Sequence, residues 1–157
     1  MWSFGPRDYQ RHTALFVAVN GSGERILDML LDPNRVNEAD SDEKTVLHLA
    51  AGLGSAPKVQ LLLQGGARLS MRDKEGCTPV TTAVKANRST MGPLLADKSF
   101  VNIPDNDGWS PLDWASFAGS EESVAVLLNA RAIDRKNKAG MFAIDGAEDE
   151  LVRHLFI

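Results

Sequence analysis

The sequence predicts an all-α solenoid, a stacked array of short helical repeats. Five segments of the chain align with one another, and they begin at residues 13, 45, 78, 110 and 142, so that consecutive starts are 32 or 33 residues apart. Their apolar residues recur at helical spacing, and a second helical segment follows each of the first four. A fixed period of this length is typical of arrays whose units bury their apolar faces against one another.

Each unit opens with a predicted first helix. A hydroxyl residue before the helix can accept a hydrogen bond from its first turn, and the residues at this position are Thr13, Thr45, Thr78 and Ser110. Pro79 and Pro111 then stand at the first helical position, where an N–H is not needed. The core is predicted two and five residues after the cap, at Leu15, Leu47, Val80, Leu112 and Ile144 and at Ala18, Ala50, Ala83, Ala115 and Ala147.

The second helices are predicted over 24–31, 57–63, 89–95 and 121–128. The third of them contains Gly92 and Pro93, and this pair predicts a kinked or shortened helix. The fifth unit is short, and we expect it to close the array with one helix or so that packs Leu151, Val152 and Leu155 against the preceding repeat.

Polar turns rich in Asp, Asn and Gly separate the units. The turns "DKEGCTPV" (73–80) and "DNDGWSPLD" (105–113) resemble the ankyrin consensus D-x-x-G-x-T-P-L-H, and "TVLHLAAGLG" (45–54) resembles its helical part. The resemblance runs from about Asp8 to the end of the chain. It implies one domain, 1–157, of four full repeats and a short C-terminal capping repeat with protruding β-turn or hairpin loops; the repeats fall at about 8–39, 40–72, 73–104, 105–136 and 137–157.

Composition and charge narrow the class of partner. The chain has 157 residues and a net charge of −4, which argues against nucleic acid or an anionic membrane as the main partner. The single cysteine cannot form an internal disulfide, which favours a reducing compartment. No apolar run has the length of a membrane span. We therefore expect a cytoplasmic protein, with the nucleus as the alternative, that is a monomer in isolation and does not insert into membranes.

No constellation of residues predicts catalysis. His12, His48 and His154 are scattered, and His48 occupies the T-x-x-H position of the ankyrin consensus, where the ring has a structural role. Cys77 is expected in an exposed turn, and it lacks zinc-ligand spacing. The "GSG" at 21–23 lacks the rest of a phosphate loop. The expectation is a non-catalytic protein without cofactor or metal.

The aromatic residues of "DGWSPLDWASFAG" (107–119) are the candidate binding residues. Trp109 precedes the cap Ser110 and is placed on the turn tip, while Trp114 and Phe117 share one face of the following helix. The rings could fill space between repeats, or form an exposed patch of the kind enriched at binding hot spots. The predicted partner-contacting residues are Trp109, Trp114, Phe117, Leu53, Cys77, Lys85, Met141, Lys74 and Asp107.

The ankyrin resemblance implies a scaffold or adaptor that binds a protein partner on its concave face as a rigid body. Residues 105–155 also resemble the closing repeats of myosin phosphatase targeting subunits, over about a third of the chain. Those subunits dock the phosphatase through a basic–hydrophobic–x–aromatic motif; "KTVLH" (44–48) comes nearest and lacks the aromatic residue. A regulatory or targeting subunit for a protein phosphatase or kinase is therefore the alternative function.

Overall fold

The computed structural model describes residues 14–21, 23–88 and 91–157, so that the predicted cap Thr13 and the start of the first repeat lie outside the described residues. Within these ranges the chain forms α-helices and one 3₁₀ turn, Lys98–Phe100, and no β-strand. The helices are α1 Ala14–Asn20, α2 Glu24–Leu30, α3 Val46–Leu53, α4 Ala56–Gln64, α5 Pro79–Lys85, α6 Met91–Leu94, α7 Pro111–Phe117, α8 Glu121–Asn129, α9 Ala143–Gly146 and α10 Glu150–His154.

The helices form two layers. The first helices of the units pack on one another in chain order, α1 on α3, α3 on α5, α5 on α7 and α7 on α9. The second helices form the other layer, with α2 on α4, α4 on α6 and α8 on α10. Each unit therefore contacts mainly its neighbours, which is the arrangement of a solenoid. The predicted all-α solenoid is confirmed, and none of the helices in the described ranges is long and apolar enough to cross a bilayer.

The core lies where the repeat pattern places it. Leucine or valine two residues after each cap is buried, and the small alanine five residues after it lets neighbouring first helices approach closely. Ile144 of the last unit differs, because it is only half-buried. The buried residues of this pattern are Leu15, Leu47, Val80 and Leu112, with Ala18, Ala50, Ala83, Ala115 and Ala147.

The predicted side-chain caps form at Thr78 and Ser110, whereas the Thr45 hydroxyl bonds His48 Nδ1 instead, at 2.9 Å. The Thr78 hydroxyl accepts a hydrogen bond from the Thr81 N–H at 3.4 Å. The Ser110 hydroxyl accepts one from the Asp113 N–H at 3.2 Å, and the Asp113 carboxylate bonds back to the Ser110 N–H at 2.7 Å. These reciprocal bonds satisfy N–H groups that a helix leaves free at its start. They fix the position at which each first helix begins.

The turns between the units are built around one acidic or amide side chain each. In every turn one side-chain Oδ1 accepts two backbone N–H bonds, and the residues that do this are Asp40, Asp73, Asp105 and Asn137. Neighbouring turns are also joined, since Lys74 N–H donates to the Asp42 carbonyl and Asn106 N–H to the Glu75 carbonyl. The predicted protruding loops are thus stacked turns, and the one isolated β-bridge, Ala39 to Thr45, does not extend into a strand.

Two predictions on the weaker units have different outcomes. The helix that contains Gly92 and Pro93 is described over Met91–Leu94, while the first two predicted positions, 89 and 90, lie outside the described residues, so the predicted kink or shortening stays a prediction. In the closing unit Val152 is fully buried and Leu155 is half-buried against the core. The prediction for Leu151 is wrong, because its side chain is 61% exposed. A single short helix turns only one narrow face inward, and Leu151 lies about 100° around the helix from Val152.

Candidate protein-binding surface

Three aromatic rings of the fourth repeat form one cluster. The centroid of the Trp109 ring lies 4.8 Å from that of Trp114 and 5.5 Å from that of Phe117. The Trp109 and Phe117 rings meet edge to face, a favourable arrangement for aromatic pairs. The helix α7 brings Trp114 and Phe117 to one face, and the turn before it brings Trp109 over them. We call these three residues the aromatic cluster.

The aromatic cluster is partly packed and partly open to solvent. Phe117 is 62% exposed, whereas Trp109 and Trp114 are half-buried and Trp114 packs against the hydrophobic core. Trp109 was expected on the turn tip, and it lies folded over Trp114 instead of standing free. Both interpretations of the rings therefore describe a part of the cluster, with Trp114 as its half-buried base and Phe117 as its exposed edge.

Asp105 bonds both tryptophans, and it was not among the residues predicted from the sequence. Its Oδ2 accepts the indole N–H of Trp114 at 2.8 Å, and its Oδ1 accepts the backbone N–H of Trp109 at 2.9 Å. The Asp105 side chain is nearly fully buried. The sequence feature that could have indicated Asp105 is its place as the first residue of a D-x-x-G turn that is followed directly by Trp109. One carboxylate thus holds the Trp114 ring and the backbone of Trp109.

Lys85 covers one face of the aromatic cluster. Its Nζ lies 4.4 Å from the centroid of the Trp114 ring and 2.6 Å from Oε2 of Glu75. The hydrogen bond and charge of Lys85 lower the pKa of Glu75. Partial burial lowers the pKa of Lys85, but the Glu75 hydrogen bond and nearby acidic charges outweigh it, so the pKa of Lys85 is raised. Both groups are charged at neutral pH. The predicted proximity of Lys85 to the rings is found in the structure.

The predicted exposure of Cys77 is wrong. Its side chain is 1% exposed, and burial raises the pKa of its thiol to about 11. The Lys85 Nζ and the Glu75 Oε2 lie 3.9 and 4.0 Å from its Sγ and cover it. Cys77 follows the turn glycine, and Trp109 has the equivalent position in the next repeat. The small thiol fits beneath Lys85 and Glu75, whereas the larger indole remains half-buried. A buried thiol cannot contact a partner, so Cys77 leaves the predicted set.

The other predicted contact residues lie outside the aromatic cluster, one in a neighbouring groove and three on the turns. Leu53 is 43% exposed and lines a groove of about 360 Å³ on the first-helix face, together with Leu49 and Thr82. The helix α5 links the two regions, because Thr82 faces this groove and Lys85 faces the cluster. Lys74, Asp107 and Met141 are exposed on three successive turns. Their contact with a partner stays a prediction.

His48 has the structural role that the sequence predicts. It is fully buried; its Nδ1 accepts the Thr45 N–H at 3.1 Å, and its Nε2 lies 3.1 Å from the Cys77 carbonyl of the next turn. These contacts require the neutral ring with the proton on Nε2. Burial lowers the pKa of His48 below its ordinary value of 6.5. In the described ranges no group of three or more His, Cys, Asp or Glu side chains could hold a metal ion.

The lowered pKa of His48 predicts a loss of stability in mild acid. Above pH 6.5 the ring is neutral in both states; as the pH falls from 6.5 toward the lower folded-state pKa, only the unfolded chain takes up a proton. The free energy of unfolding should therefore decrease by up to about 1.4 kcal/mol per pH unit. Urea unfolding between pH 7.5 and 5 measures this. His48→Gln should flatten the slope, and an unchanged slope in that variant would assign it to other groups.

A comparison with known families agrees with this geometry. The family model for ankyrin repeats, in three copies, matches residues 47–139, more than half of the chain. The chain belongs to the ankyrin-repeat family. The resemblance predicted from the turns is therefore confirmed, and ankyrin repeats are in general protein–protein interaction modules without catalytic activity of their own.

Several curated ankyrin-repeat proteins are similar to this chain. Tyrosine-protein kinase HTK16 of Hydra vulgaris is 35% identical over 112 residues, 69% of this chain and 15% of that protein. The probable 26S proteasome regulatory subunit p28 of Saccharomyces cerevisiae is 29% identical over 136 residues, 84% of this chain and 59% of that protein. Protein phosphatase 1 regulatory subunit 12A of Mus musculus is 33% identical over 84 residues, 52% of this chain and 8% of that protein. The chain spans less than two thirds of the length of each of these relatives.

Proposed function

We propose that this chain is a non-catalytic adaptor that binds a protein partner on its first-helix face, the concave face of an ankyrin array, with the aromatic cluster at the centre of the contact. The observation that carries the proposal is the exposed edge of Phe117 beside two tryptophans, one held through its indole and the other through its backbone by the buried Asp105 carboxylate. Large apolar rings at a solvent-exposed site are typical of binding hot spots. Because the Trp114 ring is already held by its bond to Asp105, binding would lose little freedom of that side chain.

The neighbouring surface supports an extended contact. The groove beside Leu53 lies on the same layer of helices as the aromatic cluster, and α5 joins the two. The exposed residues Lys74 and Asp107 would form part of a polar rim around the apolar centre. The proposed location is the cytoplasm, and the proposed state of the unbound chain is a monomer.

The test is capture of partners from a cell lysate. The bait proteins are wild type, the Trp109→Ala/Phe117→Ala double variant, and Leu151→Ala, which removes a side chain that is as exposed as Phe117. We expect a partner that wild type and Leu151→Ala retain and that the double variant loses, with thermal melts showing that the double variant is folded. Retention of every partner by a folded double variant would contradict the proposal.

A second candidate function is a regulatory or targeting subunit for a protein phosphatase or kinase. The similarity to protein phosphatase 1 regulatory subunit 12A favours the phosphatase. Recovery of a phosphatase catalytic subunit in the same capture would support this candidate. If no phosphatase catalytic subunit is captured, the second candidate is rejected and the adaptor binds a different class of protein.

A further inference from the structure

The Trp114 ring already carries a cation in the unbound protein. The Lys85 ammonium lies 4.4 Å from the ring centroid, within the range of a cation–π interaction. At the edge of the same ring the indole N–H donates to the Asp105 carboxylate at 2.8 Å. This bond shifts electron density into the indole and makes its face more attractive to a cation. The ring and the carboxylate thus form a site for positive charge, which Lys85 occupies.

Acidic side chains lie on the two turns next to this site. Glu75 bonds Lys85 at 2.6 Å and its side chain is still 65% exposed, so that an incoming cation could reach it. Asp107 is exposed on the turn that also carries the buried Asp105. The basic group on the adjoining turn, Lys138, is bonded through its ammonium to the Asn106 carbonyl. The charge next to the rings therefore suits a basic group from outside once Lys85 moves away.

We infer that the aromatic cluster receives an arginine side chain of the protein partner, which stacks on the Trp114 ring and pairs with Glu75 in place of Lys85. This inference rests on the proposed function and names the chemistry of its partner. Arginine fits better than lysine, because a planar guanidinium stacks on an aromatic face and can bond a carboxylate with two N–H groups at once. Lys85 would act as an internal occupant that the partner displaces.

The experiment uses a short probe and its neutral analogue. The blocked tripeptide amide acetyl-Gly-Arg-Gly is titrated against the chain, with the citrulline tripeptide as control, because citrulline has the shape of arginine without its charge. The readout is the indole N–H signal of Trp114 in a ¹H–¹⁵N NMR spectrum. The chain has three tryptophans, so this signal is assigned with the Trp2→Phe and Trp109→Phe variants. Chloride concentration is matched in both titrations, since cation binding at a surface depends on salt.

We expect the arginine peptide to shift the Trp114 signal in a saturable way and the citrulline peptide to bind at least about threefold more weakly. Lys85→Met should tighten binding of the arginine peptide about threefold to fivefold, because the ring face is then open. Lys98→Met is the matched control; it removes an exposed lysine of the 3₁₀ turn Lys98–Phe100, outside the predicted contact residues, and should leave the affinity unchanged.

Three results would overturn the inference: equal binding of the two peptides, no shift of the Trp114 signal, or no gain of affinity in Lys85→Met. Each is distinct from a failure of the proposed function, which the lysate capture decides by itself. If the double variant loses its partner and the arginine peptide fails, the aromatic cluster is a binding site that does not use a cation. If the double variant keeps every partner, the proposed function fails as well.

Discussion

Gly76→Ala should lower the free energy of unfolding by about 3 kcal/mol. Gly76 has a φ of +81°, where a residue with a Cβ costs about 1–2 kcal/mol. An added Cβ would also lie 2.7 Å from the backbone N of Asn106, which is held by its bond to the Glu75 carbonyl. Forced contacts of this kind typically cost a further 1–3 kcal/mol, roughly. Urea or thermal unfolding measures the effect.

Gly140→Ala separates the two causes. Gly140 has nearly the same φ, +80°, at the same position of its turn, and an added Cβ would meet no atom within 4 Å. We therefore expect a loss of only about 1 kcal/mol, from the backbone conformation alone. Equal losses of unfolding free energy in Gly76→Ala and Gly140→Ala would contradict the explanation that Gly76 is required mainly because the next turn packs closely against it.

Asp105→Ala should be about as destabilising, by about 3 kcal/mol. The change leaves three N–H donors without their acceptor: those of Asp107, Trp109 and the Trp114 indole. A donor that loses its partner away from water costs about 1–3 kcal/mol, and partial access of water to this turn reduces the sum. The unfolding curve gives the loss of stability, and tryptophan fluorescence should change with it because the Trp114 indole and the Trp109 backbone N–H both lose their acceptor.

Asp105→Asn is the matched variant for this carboxylate. Asn137 shows that an amide supports the same turn, since its Oδ1 accepts the N–H groups of Ala139 and Met141. The variant should keep the turn, but its amide N–H₂ would face the Trp114 indole N–H, so that both donors lack an acceptor, at a cost of about 1–2 kcal/mol. If asparagine were as damaging as alanine, the negative charge itself, and not the hydrogen bonds, would hold the turn.

The fold could be predicted from the sequence because its signals are local and repeated. The period of 32 or 33 residues, the hydroxyl caps and the small alanines each recur, so that an error in one unit is corrected by the others. The closing unit shows the limit of this reasoning. Leu151 has no equivalent in the other repeats, and the sequence alone did not show which side of a five-residue helix would face the core.

The candidate site was less predictable, because it depends on contacts between turns. The aromatic residues are visible in the sequence, and helical spacing correctly puts Trp114 beside Phe117. The burial of Cys77 depends on Lys85 and Glu75 folding over it, and no pattern in the sequence encodes that. Asp105 could not be predicted for a related reason. The consensus shows its role in the turn, but its bond to the Trp114 indole joins residues nine positions apart, on the turn and on the helix, and no local pattern indicates it.

The most direct test of the aromatic cluster as a binding site is the affinity of the captured and purified partner for Phe117→Ala and for Leu151→Ala. The two side chains are equally exposed, at 62% and 61%, and lie on different repeats. By calorimetric titration we expect Phe117→Ala to weaken binding by about 2 kcal/mol, roughly thirtyfold, and Leu151→Ala to leave it unchanged. Equal affinities of the two variants and the wild type would show that the partner binds elsewhere and that the rings only stabilise the fourth repeat.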